Sequence, residues 1–81
     1  MIITIFYSKT TGEIYSTTLA ENEYDYNRFG KFADEMAQIL DILYIEGDES
    51  LHMNLRNYYV DIESKTLVYK QPQAISYLNK E

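Results

Sequence analysis

The sequence predicts an α+β domain: an antiparallel sheet of two hairpins in the order ββ-α-ββ, with room for one more strand, and one main helix packed on one face. Three observations carry this. IITIFYS and IYSTTL, rich in β-branched and aromatic residues, flank a short turn containing Gly12. YYVDI and LVYK flank the turn ESKT in the same way. Between the pairs, Tyr26, Phe29, Ala33, Met36, Leu40 and Leu43 follow at alternating steps of three and four, the spacing of one helical stripe. A striped helix and a sheet with an apolar face bury each other.

Each element has its own local reason. Residues 2–8 are apolar on both faces, which suits a strand covered on both sides. Residues 9–13 form a turn in which Gly12 is free to take a positive φ. Residues 14–19 return as the second strand. Asn22 and Asp25 are both N-cap candidates for the helix, and Glu23 and Asp25 suit the positive end of its dipole. The helix is expected over residues 25–41. Gly30 inside it costs about 1 kcal/mol against alanine, which a close approach of the sheet or a bulky neighbour would explain. Residues 42–46 are open between a strand and an irregular last turn, because a continued helix would turn Ile42 and Ile45 to its polar side.

Leu51, Met53 and Leu55 alternate with polar residues, as in a strand. Tyr58, Val60 and Ile62 alternate out of phase with them, so a bulge or tight turn is expected at Asn57. Pro72 ends the second hairpin, and residues 73–80 suit a short terminal helix.

The 81 residues make one domain, 1–81, with a globular composition of 46% hydrophobic and 25% charged residues. Cysteine is absent, which excludes disulfides, thiolate metal sites and a cysteine nucleophile and fits a reducing compartment. No apolar run is long enough to span a membrane, and the N-terminus lacks a basic leader and a cleavage site. The expected location is the cytoplasm.

Catalytic signatures are missing. His52 is the single histidine, with no second one to share a metal. The serines lack the G-x-S-x-G context, and the glycines stand apart at 12, 30 and 47, so no loop cradles a phosphate. GDES lacks the spacing of a calcium loop. Neighbouring carboxylates such as Asp34 and Glu35 do not face each other on a helix. The expectation is a non-enzyme without cofactor or metal. Sparse, scattered bases argue against direct nucleic-acid binding.

Charge distribution is the most informative feature. The net charge is −6, yet residues 21–49 alone carry −7: Glu21, Glu23, Asp25, Asp34, Glu35, Asp41, Glu46, Asp48 and Glu49 against Arg28 and Lys31. Such a field repels nucleic acid and attracts basic partners. These nine acids are the candidate partner-binding residues. On a continuous helix Glu23, Asp34 and Asp41 fall within about 20° of one another and form a line. Asp34 to Asp41 spans about 10.5 Å, whereas a DNA strand carries a charge about every 3.4 Å. The loop acids at both ends are therefore needed to imitate a phosphate backbone. Tyr24, Tyr26 and Tyr44 supply apolar anchors nearby.

IFYSKTTGEIYSTTL and YYVDIESKTLVYKQP resemble segments of small proteins from tailed bacteriophages of low-GC Gram-positive bacteria. The resemblance lies in turn-and-strand texture and covers about 30 residues. Size, acidity and tyrosine content are also similar to those of phage host-takeover proteins. The resemblance implies a protein that binds a host enzyme or DNA-binding protein, in some groups by mimicking DNA. The expected partner is a basic host protein such as a histone-like DNA-compacting protein, a polymerase or a nuclease. The alternative is a virion or assembly component, or a homodimer joined through its tyrosine-rich sheet (Tyr15, Tyr58, Tyr59, Tyr69).

Overall fold

The computed structural model describes residues 1–70 and gives an α+β fold. Strands β1 (Ile2–Ser8), β2 (Ile14–Ala20) and β3 (Leu40–Glu46) form an antiparallel sheet in the order β2-β1-β3. Strands β4 (Tyr58–Asp61) and β5 (Thr66–Tyr69) form a separate hairpin sheet. The four hairpin strands are thus as expected, but they do not join into one sheet. The extra strand is β3, and residues 40–46 are extended rather than helical.

β1 is central because its sequence is apolar on both sides. Ile3, Ile5 and Tyr7 face one layer, where Leu51, Leu55, Tyr58, Val60 and Leu67 pack on them. Burying each large apolar side chain contributes about 1.5–3 kcal/mol. Thr4 and Phe6 face the other layer and are also fully buried.

That second layer follows from the strand order. β2 ends at Ala20 beside Ile2, while β3 begins at Leu40 beside Ser8. The connecting chain must travel the length of β1, about 20 Å at about 3.4 Å per residue. Residues 21–32 do so across the face of the sheet. The Tyr24 amide donates to Thr4 Oγ1 at 3.1 Å, and the Phe29 ring meets Phe6 edge-on at 4.8 Å. The Tyr26 hydroxyl donates to the Leu40 carbonyl at 2.8 Å.

This crossing replaces the expected helix over 25–41. Residues Tyr26–Phe32 are 3₁₀ turns interrupted at Gly30, and only α1 (Ala33–Ile39) is α-helical, with no buried residue. Gly30 adopts φ 59°, ψ −127°, a conformation that side chains resist. Nothing lies within 4 Å of a Cβ built there, so its reason is backbone conformation and not a close neighbour.

Residues 51–55 also depart from expectation. They are not a strand: α2 (Glu49–Asn54) runs into a 3₁₀ turn over Leu55–Asn57. Asp48 caps it, its Oδ1 accepting from the Leu51 amide at 3.0 Å. Leu51 and Leu55, spaced by four, both pack on the core cluster. The phase slip at Asn57 is therefore a tight turn between helix and strand. The expected helix at 73–80 lies outside the described residues.

Candidate functional site: an acidic end of the sheet

Pairing in the three-stranded sheet divides the nine candidate acids. Ala20 and Glu46 both pair with Ile2, on opposite sides of it. Glu21 therefore leaves β2 at the end of the sheet where Glu46 finishes β3. The Gly47 amide donates to the Met1 carbonyl at 3.0 Å, which holds Asp48 and Glu49 at this same end. Glu23 and Asp25 flank Tyr24, whose amide is tied to Thr4 two residues along β1. Six acids from two distant segments thus share one end.

The other three lie elsewhere. Asp34 and Glu35 occupy the first turn of α1, whose last residue, Ile39, accepts a hydrogen bond from the Lys9 amide at the opposite end of the sheet. Asp41 sits on β3 opposite Tyr7, on the face away from the crossing segment. The expected line Glu23–Asp34–Asp41 does not form, because Gly30 and the start of β3 break the helix on which it depended.

Several acids hold the fold. Asp25 Oδ1 accepts from the Asn27 amide at 2.9 Å and starts the 3₁₀ turns. Asp48 caps α2. Glu46 pairs with the N-terminal ammonium at 3.1 Å. Asp41 pairs with Lys65 at 3.7 Å and accepts from the Tyr7 hydroxyl at 3.4 Å. Both ion pairs are solvent-exposed and contribute about 0–1 kcal/mol. Asp34, Glu35 and Glu49 stand in the first turns of α1 and α2, where the dipole favours them. Glu21 and Glu23 remain with no structural duty among the described residues.

Tyr24 and Tyr44 furnish the apolar part of this end. Both are partly exposed, and the Tyr44 hydroxyl donates to the Tyr24 carbonyl at 2.6 Å. Desolvation raises the Tyr44 pKa, and the carboxylates of Glu23 and Asp25 raise it further. Tyr26 is half-buried under the same segment, leaving less of its ring for a partner. Arg28, absent from the expected set, places its guanidinium 5.9 Å from the Tyr24 ring centre. No local spacing signalled it, because Tyr24 precedes the 3₁₀ turns that carry Arg28.

A shallow depression of about 470 Å³ at this end is lined by Asn22, Glu23, Tyr24, Asp25, Asn27 and Arg28; among the described residues no three histidine or carboxylate side chains are grouped to hold a metal ion. None of the helices described is long and apolar enough to cross a membrane. Compared with protein-family models, curated proteins and solved structures, the chain matches none. Fold and surface together define a small α+β protein with a charged, tyrosine-bearing end.

Proposed function

We propose that the protein is a non-catalytic inhibitor that occupies the basic surface of a host DNA-binding protein or nucleic-acid enzyme, with its acids in place of phosphates. The observation that carries this reading is the convergence of Glu21, Glu23 and Asp25 with Glu46, Asp48 and Glu49 through the shared partner Ile2. Tyr24 and Tyr44 anchor the contact, because a large ring with a polar tip buries well beside charges. The phage resemblance of the hairpin sequences supports a host-takeover role in the cytoplasm of the infected cell. The partner class is a histone-like DNA-compacting protein, a polymerase or a nuclease.

The test is an affinity pull-down from bacterial lysate at low and high salt. The retained protein is expected to be a basic DNA-binding protein that salt elutes, since ionic contacts of this kind are screened. Retention that ignores salt sinks the proposal.

A second reading has its own observation. β2 and β5 are edge strands that carry exposed Tyr15 and Tyr69, and an uncovered edge is a template for pairing with another chain. Sedimentation at high concentration decides it: a strict monomer excludes the sheet-edge dimer.

A further inference from the structure

A groove of about 430 Å³ opens between β2 and the corner where α2 turns into β4. Its volume falls in the range of small-molecule sites, about 300–1,000 Å³. Ile14, Tyr15 and Tyr58 supply its apolar surface over the buried Leu55, and the edge strand also contributes Ser16 and Thr17. Thr17 Oγ1 and His52 Nε2 lie 2.9 Å apart, which fixes the imidazole against the wall.

The charge of this groove is opposite to that of the chain. Arg56 and Lys70 line it against one acid, Glu13, on a protein whose net charge is −6. Neither cation has a carboxylate partner among the described residues, where the ion pairs are Met1–Glu46 and Lys65–Asp41. Arginine offers a planar fork of donors and lysine a mobile point charge, a combination that suits a tetrahedral oxyanion.

We propose that this groove is a second binding site, independent of the acidic end, and that it takes a small phosphate monoester with an aromatic ring. The phosphate sits between Arg56 and Lys70, and the ring rests on the apolar wall. Size decides against a nucleic-acid strand: a polyanion would run into the field of the remaining acids, whereas a ligand with one phosphate feels mainly the local cations.

The test is an amide-resolved NMR titration of the full chain with phenyl phosphate, inorganic phosphate and a hexaglutamate peptide. Phenyl phosphate is expected to shift the Thr17, His52 and Arg56 amides saturably, and more tightly than inorganic phosphate. Arg56→Gln, a change at an exposed side chain, should weaken it at least tenfold. Lys70→Gln should weaken it less, and Arg28→Gln not at all. Absence of saturable shifts at those amides overturns the proposal, as does equal binding by a folded Arg56→Gln protein. Tighter binding of hexaglutamate at the same amides also overturns it, because the groove is then a peptide surface.

Discussion

The amide of Val60 donates to the carbonyl of Gly12 at 2.8 Å, and a Cβ on Gly12 would stand 1.9 Å from the Val60 carbonyl oxygen. The turn of the first hairpin is thus pressed directly onto the backbone of the second. This contact helps to join the two sheets, and it needs a residue with no side chain.

Gly12→Ala should therefore be among the most damaging single substitutions. It adds a clash with backbone to an unfavourable positive φ of 80°, and a loss of about 3 kcal/mol or more is expected from strain and overpacking together. Gly30→Ala has open space around it and meets only the conformational penalty, about 1–3 kcal/mol. Urea denaturation of both proteins ranks them. Equal losses would mean that the contact with Val60 contributes nothing.

Thr18 offers a gain. Its Oγ1 is buried and has no hydrogen-bond partner, and an unpaired buried hydroxyl costs about 1–3 kcal/mol. Thr18→Val keeps the β-branched shape a strand favours and should raise stability by about 1 kcal/mol. A loss on denaturation would show that the hydroxyl is satisfied in solution.

Alkaline pH should unfold the protein through three tyrosines. Desolvation is the largest cause raising the pKa values of Tyr7, Tyr26 and Tyr44, and the Asp41 charge adds to the first two. A raised folded-state pKa keeps its proton where the unfolded chain has released it. Stability is then undiminished below the unfolded tyrosine pKa of about 10 and declines as pH rises above it. Denaturation curves between neutral and strongly alkaline pH test this, and Tyr7→Phe should flatten the decline. A decline equally steep in that variant would assign the loss to other groups.

How much of this was legible in the sequence depends on the range of the interactions involved. The hairpins were, because Gly12 and the ESKT turn lie next to the strands they connect. The long helix misled because its stripe is shared between different elements. Tyr26 and Phe29 reach the sheet from 3₁₀ turns, while Leu40 and Leu43 belong to β3. Ile42 and Ile45, misplaced on any helix, were the warning. In α2 the ambiguity is arithmetical: Leu51 and Leu55 satisfy both a four-residue helical step and a two-residue strand period. Assembly of the acidic end was illegible, since it requires β2 and β3 to flank β1, a pairing no local pattern encodes. The basic groove was hidden likewise, although His52 and Arg56 stand one helical turn apart once α2 is known.

Acids of the binding end that also cap a helix should separate in stability from those that do not. Asp48→Ala removes the cap of α2 and should cost about 1 kcal/mol, whereas Glu21→Lys and Glu23→Lys, with no structural duty among the described residues, should stay within about 0.5 kcal/mol of the parent. Thermal melts distinguish them. A large loss from either lysine variant would reveal a structural role at the acidic end.

The most direct measurement is a displacement titration, in which the protein competes with labelled duplex DNA for the basic partner recovered by pull-down. Glu21→Lys/Glu23→Lys reverses two charges at the acidic end, and Asp34→Lys/Glu35→Lys reverses two on α1. The first double variant should lose displacement by more than tenfold, and the second should displace nearly as the parent does. Equal activity of the first variant and the parent, or a greater loss in the second, would contradict the acidic end as the binding surface.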